Sequence, residues 1–483
     1  MPEQKRKTPL MGWASWNRYR VNISEKMFRK QLQALIDTGL RDLGYNYFNI
    51  DDGFQRGRGA DGFVQSDKEK FPNGMKAFAD YVHSLGFKAG IYTDAGVTTC
   101  AQIWDGLSYN DNVGLYGYDE QDLNMYLRDW GYDFIKVDWC GGQKLEFDRQ
   151  ERYTTISNII KDIEKATGKN KIFNVCCWEF PGKWVAEVAD SWRTGADVSA
   201  NFDSIIYQID KVAKSETRSL ELTGPGHVND LDMLQIGNGM SYEEDKTHFS
   251  MWAMMSTPLM LGMDVTTISE ETLEIIRNHE IIAVNQDSAC TPPYIEKTIG
   301  ECEVWVKPLS DSKERAVAFL NRGEKPLCLD INWRELGFEG ELHIRDLWEH
   351  KNLPTDGTFN VNIPVHGTAV FRIRSDSSML YAQNTDDVKN EACAITVINE
   401  DTVKELVNKG AILVDVRTEK EYADGHIDGS INLPHNEIFL RHNEIFKDKK
   451  TPIVTCCGTA KRSSQAMDIL KYLGYEQVCC TKI

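Results

Sequence analysis

Residues 132–142 read YDFIKVDWCGG, a short apolar run that carries charged side chains at its end. Its apolar residues are typical of a buried β-strand. Lys136 and Asp138 stand two positions apart, so in a strand their side chains point to the same face. Two glycines then end the run. The stretch therefore predicts a buried strand that presents an ammonium group and a carboxylate side by side at its carboxyl end.

Similar runs alternate with amphipathic helical patterns, such as SEKMFRKQLQALIDTGL, through residues 1–288. The runs include YNYFNIDD (45–52), GFKAGIYTDAG (86–96), KIFNVCCW (171–178), DSWRTGADV (190–198) and TPLMLGMDV (257–265). Alternation of this kind predicts a parallel sheet with crossover helices. Roughly seven or eight such units favour a closed (β/α)8 TIM barrel, an α/β fold, over an open sheet.

The remainder of the chain divides into three parts. Residues 289–375 show short apolar runs between turn residues, such as RAVAFLN and GTAVFRIR, and these predict a small antiparallel β-sandwich. Residues 376–392 are polar and predict a linker. Residues 393–483 predict a final α/β domain.

Composition excludes several classes of partner. The net charge of −18 argues against a nucleic acid or an anionic membrane, because phosphate binding needs a basic surface. No apolar run reaches the ~20 residues that span a bilayer. The N-terminal residues lack the apolar stretch of a signal peptide, so we expect a cytoplasmic protein, or a periplasmic or secreted one if a signal was removed. Without CxxC or HExxH spacing, we expect no metal and no cofactor.

Polar residues follow the predicted barrel strands. Asp51 and Asp52 end one run, Asp94 ends another, and a third segment carries Arg193 and Asp197. In a TIM barrel the catalytic groups lie at the carboxyl ends of the strands. A single aspartate there is more often a helix cap or a turn residue. Several at successive strand ends are costly to bury without a purpose, so they predict an active site at this face.

Four motifs, in the same order along the chain, resemble the family 27 glycoside hydrolases. They are TPLMGWASWNRY (8–19), YDFIKVDWC (132–140), SWRTGADV (191–198) and GHVNDLDMLQIGNG (226–239). The resemblance covers residues 8 to about 375. It implies a barrel, an antiparallel β domain and retaining hydrolysis of terminal α-galactosides in oligosaccharides or glycoconjugates. The alternatives are an α-N-acetylgalactosaminidase or another α-glycosidase of this family, and a non-catalytic galactoside-binding protein; the oligomeric state stays open.

The resemblance also implies roles for single residues. Asp138 matches the nucleophile and Asp197 the acid/base. The other matched positions are the sugar-binding residues Trp16, Asp51, Asp52, Tyr92, Lys136 and Arg193, and the disulfide pair Cys100 and Cys140. Lys136 favours the ionised form of Asp138, as a nucleophile requires. Asp197 must carry a proton, so we expect it to lie away from positive charge or in a drier place, with Arg193 directed at the sugar.

Substrate choice rests on the segment Cys176-Cys177-Trp178. The family usually has Cys-Glu-Trp here, so Cys176 and Trp178 are retained. By resemblance these two side chains lie against the sugar 2-hydroxyl and leave little room for an N-acetyl group. The segment therefore favours galactose over N-acetylgalactosamine.

The C-terminal residues resemble a rhodanese domain, through AILVDVRTEKEYADGHIDGSINLPH (411–435) and PIVTCCGTAKRSSQAMDILKYLGYEQV (452–478). Four residues separate Cys457 from Arg462, which is the rhodanese spacing, whereas the five after Cys456 match a related phosphatase loop. No histidine precedes Cys456, so we expect Cys457 to carry persulfide sulfur and Arg462 to complete its loop. Ala460 replaces the usual loop glycine and is expected to hinder the tight turn. The alternative is an inactive docking module.

Overall fold

Eight parallel strands, β1–β8, form one curled sheet in the computed structural model, which describes residues 5–107, 112–213, 222–355, 359–376 and 397–482. The strands are β1 Met11–Ala14, β2 Tyr47–Asn49, β3 Lys88–Asp94, β4 Phe134–Asp138, β5 Ile172–Val175, β6 Ser191–Arg193, β7 Val228–Asp230 and β8 Leu259–Leu261. Their order is β8-β1-β2-β3-β4-β5-β6-β7. A parallel bridge between Leu234 and Leu261 joins the two ends. The predicted TIM barrel is confirmed.

Helices surround this sheet and pack their apolar faces on it. In the helix Glu25–Asp37, Phe28, Leu32 and Leu35 follow helical spacing and are fully buried. The Ser24 hydroxyl accepts a hydrogen bond from the Met27 amide and caps that helix. The further helices of the barrel are Trp16–Tyr19, Gly74–Ser84, Cys100–Trp104, Asp119–Leu123 with a π-helical continuation Asn124–Asp129, Cys140–Lys144, Arg149–Thr167, Val185–Val188, Phe202–Ala213, Tyr242–Met254, Glu270–Arg277 and His279–Asn285.

An antiparallel β domain follows the barrel, as predicted. A six-stranded sheet contains Tyr294–Ile299, Cys302–Pro308, Glu314–Asn321, Leu342–Asp346, Lys351–Leu353 and Thr368–Ser375. A two-stranded sheet pairs Leu327–Ile331 with Phe359–Ile363. Phe319, Trp333 and Phe371 stack edge to face in the core of this domain, with ring centroids 5.5 to 5.9 Å apart.

The C-terminal domain is an α/β unit with a five-stranded parallel sheet. In spatial order its strands are Val397–Ile398, Val478–Lys482, Ile453–Cys457, Ile412–Asp415 and Ile431–Asn432. Its α-helices are Glu400–Asn408, Glu419–Asp424, Ile438–Ile445 and Lys461–Tyr472. The α/β domain predicted for this part of the chain is therefore confirmed.

Tyr207, on a barrel helix, joins the C-terminal domain to the barrel. It is buried in one apolar cluster with the core of that domain. Its ring lies 5.3 Å from the ring of Phe439 and 5.1 Å from that of Tyr472, and its hydroxyl donates to Asp468 Oδ2 at 3.2 Å. Tyr472 in turn donates to Asp210 Oδ2 at 3.0 Å. Aromatic packing and hydrogen bonds thus fix the domain on the barrel.

The predicted linker, residues 376–392, lies outside the described residues beyond Asp376. Within the described ranges, no helix is both long enough and apolar enough to cross a membrane.

Candidate active site

The strand β4 ends in the charged pair that its sequence predicts. Lys136 Nζ lies 3.8 Å from Asp138 Oδ2 and 3.0 Å from Asp51 Oδ2, at the end of β2. The ammonium group therefore bridges carboxylates from β2 and β4, the two strands on either side of β3. Burial raises the pKa of Asp138, Lys136 opposes this effect, and Asp51 adds to it, so the net pKa lies above the usual value.

Asp197 lies against a positive charge, contrary to our expectation from sequence. Arg193, at the end of β6, places Nη2 3.1 Å from Asp197 Oδ1 and 2.9 Å from Asp232 Oδ2. Burial favours the neutral form of Asp197, but Arg193 and then Lys136 outweigh it and hold its pKa below the usual value. The expected separation from Arg193 is wrong, because the loop after β6 returns Asp197 to the guanidinium four residues earlier.

Asp232 is the second carboxylate on Arg193. Its Oδ2 also accepts the Val198 amide, and its Oδ1 accepts the Met233 amide. Burial raises its pKa to about 6, although Arg193 opposes the shift. Its backbone has a φ of 82°, in the region that non-glycine residues rarely adopt. Asp232 is therefore held rigidly, so that Arg193 is shared between two fixed partners.

These groups face one cavity of about 290 Å³ at the carboxyl ends of the strands. Six of the residues that the sequence analysis selected for the barrel site line it together: Trp16, Lys136, Asp138, Trp178, Arg193 and Asp197. The sulfur pair of Cys100 and Cys140 lines it too. Asp51 lines a smaller neighbouring cavity. With Asp232 after β7, the structure thus gathers residues from six of the eight strand ends around one space.

Three of the selected residues, Asp52, Tyr92 and Cys176, are buried beside this space rather than lining it. Asp52 accepts the Gly53 amide on Oδ1 and the Ala101 amide on Oδ2. Its burial raises its pKa to about 7. Arg193 Nη1 contacts Cys176 Sγ at 3.8 Å, so this thiol packs against the guanidinium.

The disulfide between Cys100 and Cys140 is present, with Cα atoms 5.4 Å apart. Asp94 Oδ1 reinforces it by accepting the amides of Gly96 and Gly141 at 2.7 and 3.0 Å. Ligand atoms of Asp94, Cys100 and Cys140 lie within 4.8 Å of one another in the described part of the chain. Because the two sulfurs are bonded together, they offer no thiolates to a metal. The cluster ties the loops after β3 and β4 to each other.

Sequence reasoning missed the contribution of the C-terminal domain to this cavity. Its wall includes Glu421, His435, Gly458, Thr459, Arg462 and Gln465. These residues lie more than 180 positions from the barrel aspartates, and no local pattern connects them. Asp232 was visible in the motif GHVNDLDM, but its role beside Arg193 depends on the fold.

The C-terminal domain holds Cys457 at the end of a strand, as the rhodanese resemblance implies. Its sulfur accepts the Ser463 amide at 3.2 Å. Arg462 forms a bidentate pair with Glu421, with both N–O distances 2.8 Å. Ala460 adopts a φ of 65° directly before the helix Lys461–Tyr472, so the tight turn forms without glycine. Because successive side chains of a strand point to opposite faces, Cys456 packs in a different apolar cluster from Cys457.

Comparison with known families places residues 8–287 in the family described as "Alpha galactosidase A". This match spans more than half of the chain. The chain belongs to that family. In this α-galactosidase family member, residues 299–373 match "Alpha galactosidase C-terminal beta sandwich domain" and residues 399–482 match "Rhodanese-like domain". The two sequence resemblances are thereby confirmed.

Relatives of the chain carry the same family name. Alpha-galactosidase A of Cellvibrio japonicus is 37% identical over 396 residues, which cover 77% of this chain and 93% of the relative. The crystal structure of α-galactosidase I from Mortierella vinacea matches with a TM-score of 0.68 and 30% identity, over 77% of this chain and 98% of that one. An α-galactosidase of Saccharomyces cerevisiae with raffinose matches with a TM-score of 0.65 and 26% identity, over 76% and 97%.

Proposed function

We propose that this family member is a retaining α-galactosidase with Asp138 as nucleophile and Asp197 as acid/base. The observation that carries the proposal is the single cavity, which Asp138 at the end of β4 and Asp197 after β6 line together with Lys136. Retaining glycosidases use two carboxyl groups that flank the scissile bond. The named α-galactosidases among the relatives support the same activity.

In the first step Asp138 attacks the anomeric carbon, and the bond to the leaving oxygen breaks as Asp197 donates a proton to that oxygen. A covalent galactosyl ester on Asp138 results. In the second step Asp197 takes a proton from water, and the water oxygen displaces the carboxylate of Asp138. Lys136 stabilises the carboxylate before attack and after release, and we assign it to the sugar hydroxyls with Asp51.

The electrostatics of the site oppose this division of labour. The pKa of Asp138 is raised and that of Asp197 is lowered, which is the reverse of what an ionised nucleophile and a protonated acid require. Arg193 controls the pKa of Asp197, because the same guanidinium binds Asp197 and Asp232. Acid catalysis requires it to shift toward Asp232 or toward the bound sugar, which restores the proton on Asp197.

Galactose, rather than N-acetylgalactosamine, is the proposed sugar. Trp178 lines the cavity and has a φ of 58°, a strained backbone conformation, and Cys176 is buried against Arg193. We assign Asp52, Tyr92 and Trp16 to the remaining contacts of the sugar. Short α-galactoside oligosaccharides or glycoconjugates are the proposed substrates.

Hydrolysis of two p-nitrophenyl glycosides tests this function. The α-galactoside should have a kcat/KM at least about a hundredfold above that of the α-N-acetylgalactosaminide, since an added N-acetyl group meets a fixed wall. Comparable values would overturn the assignment of Cys176 and Trp178. No nitrophenol from either substrate, with galactose binding retained, would support the non-catalytic alternative.

We assign a second activity, sulfur transfer, to Cys457. Its thiolate attacks the outer sulfur of thiosulfate, sulfite leaves, and a persulfide forms; cyanide then removes the outer sulfur as thiocyanate and restores the thiolate. The Ser463 amide, in the first turn of the helix Lys461–Tyr472, donates a hydrogen bond to this sulfur. Burial raises the pKa of the neighbouring Cys456 to about 12, which disfavours the thiolate form of that residue.

The matched pair of variants Cys457→Ser and Cys456→Ser tests this assignment. Thiocyanate formation should disappear in Cys457→Ser and persist in Cys456→Ser, while both keep α-galactosidase activity. The reverse pattern would mean that Cys456 is the sulfur carrier. Wild-type protein without thiocyanate formation would support the docking-module alternative.

The compartment has two candidates, cytoplasm and an oxidising space such as the periplasm. The disulfide between Cys100 and Cys140 favours the second, because disulfides persist in oxidising compartments. The redox state of this pair, measured by thiol labelling in cells of the source, distinguishes the two.

A further inference from the structure

The cavity over Asp138 and Asp197 is closed by a second domain. The barrel supplies its floor, and the C-terminal domain supplies the opposite wall with Gly458, Thr459 and Gln465 among others. Its volume of about 290 Å³ lies at the lower end of the ~300–1,000 Å³ typical of small-molecule pockets. The site therefore fits a sugar with a short leaving group better than a long polymer.

Direct contacts hold this wall in place over the barrel. Gln143, just after β4, donates from Nε2 to Thr459 Oγ1 at 3.3 Å. Farther along the helix that carries Gln465, Asp468 forms a 2.5 Å ion pair with Lys211 of the barrel. Together with the buried ring of Tyr207, these contacts position residues 458–462, the last loop residues and the start of the helix Lys461–Tyr472, as a fixed part of the cavity.

The chemistry of the reaction decides which part of a substrate meets this wall. The acid/base donates its proton to the leaving oxygen, so the leaving group must extend past Asp197. His435 of the C-terminal domain lines the cavity and interacts electrostatically with Asp197. The C-terminal residues thus lie on the leaving-group side, and the barrel residues around Asp138 lie on the galactose side.

We propose that the rhodanese-like domain supplies the leaving-group subsite of the galactosidase, formed by His435, Thr459 and Gln465. This inference rests on the proposed α-galactosidase function. The hydroxyl of Thr459 and the amide of Gln465 provide donors and acceptors for sugar hydroxyls. Arg462 and Glu421 neutralise each other in their bidentate pair, so the wall favours an uncharged leaving group, such as the sucrose portion of raffinose.

Two substrates separate the subsite from the galactose site. Raffinose has a disaccharide leaving group that reaches the wall, whereas the fluoride of α-galactosyl fluoride is a single atom that does not. Gln465→Ala in the full chain should lower kcat/KM for raffinose about fivefold, the effect of one hydrogen bond, and leave that for the fluoride unchanged. Gln477→Ala is the matched control, since this glutamine is exposed on the same domain and donates to the Lys450 carbonyl.

Gly458→Leu provides an independent test by filling the subsite. A Cβ atom at Gly458 meets no heavy atom within 4 Å, so the side chain fits locally and occupies the cavity. The ratio of kcat/KM for raffinose to that for the fluoride should fall at least about tenfold.

The inference is overturned if neither variant changes this ratio. It is also overturned if kcat/KM falls equally for both substrates in variants that keep the wild-type melting temperature. A wild-type protein that hydrolyses neither substrate would overturn the proposed function, and the subsite with it.

Discussion

Replacing Asp232 by asparagine tests how Arg193 is shared between two carboxylates. Both ion-pair distances, 3.1 Å to Asp197 Oδ1 and 2.9 Å to Asp232 Oδ2, are measured from Arg193 Nη2. The two oxygens are therefore no more than 6.0 Å apart, which is 3.1 Å plus 2.9 Å. Two unit charges at ~6 Å repel by about 3 kcal/mol at an effective dielectric constant of 20 and by about 0.7 kcal/mol in water. Asp232→Asn removes this repulsion and leaves Asp197 as the one charged partner of these two for Arg193, so the pKa of Asp197 falls.

The size of this fall follows from the exposure of Asp197. Its side chain is 38% exposed, so water screens the interaction and the lower of these two energies is the closer guide. A smaller fraction of protonated Asp197 should lower kcat/KM for raffinose about three- to tenfold. The limb of the pH profile that reports Asp197 should move to lower pH. α-Galactosyl fluoride, which needs no proton to leave, should be hydrolysed as before.

Asp245→Asn is the matched control, because Asp245 is a buried aspartate outside the cavity that accepts the Gly237 amide. This control should leave kcat/KM unchanged for both raffinose and α-galactosyl fluoride. The reasoning is refuted if Asp232→Asn leaves raffinose hydrolysis unchanged or increases it, or if both substrates decline by the same factor.

Three further predictions concern stability. Ala460→Gly should raise the free energy of unfolding by about 0.5 to 1 kcal/mol in urea titrations, because it removes an alanine from a left-handed backbone conformation. The control Ala466→Gly, within the helix, should lower the free energy of unfolding. A lower free energy of unfolding in Ala460→Gly would contradict the strained turn. Cys140→Ser should cost up to about 4 kcal/mol by releasing a loop closed between positions 40 residues apart, and a melting temperature equal to that of wild type would contradict this. Tyr207→Ala should destabilise the C-terminal domain by about 3 to 5 kcal/mol through the cavity left by its buried ring; an effect below about 1 kcal/mol would show that the domain does not depend on this contact.

Local pattern was sufficient to predict the barrel and the pair at the end of β4. Lys136 and Asp138 share a face because side chains alternate along a strand, and that rule holds whatever surrounds the strand. The position of Asp197 follows no such rule. It depends on a loop that returns to Arg193, so the sequence predicted a separation where the structure has an ion pair.

Contacts between domains were beyond sequence reasoning for a related reason. Tyr207 belongs to an apolar helix face, which predicts burial but does not identify what covers it. The loop around Cys457 was predicted from its spacing to Arg462, but its place over the galactosidase cavity depends on packing between residues some 260 positions apart. Ala460 departs from the expected glycine, and the surrounding loop and helix offset the strain of its backbone.

Azide products from two alanine variants test the central claim, the roles of Asp138 and Asp197, most directly. Asp138→Ala should lose on the order of 10⁴-fold in turnover of an activated α-galactoside, and azide entering the vacated space should give β-galactosyl azide. Asp197→Ala should still form the ester on Asp138 with a good leaving group, and azide should then release α-galactosyl azide with retained configuration. NMR of the anomeric proton distinguishes the products. An α product from Asp138→Ala together with a β product from Asp197→Ala would show that the two roles are reversed.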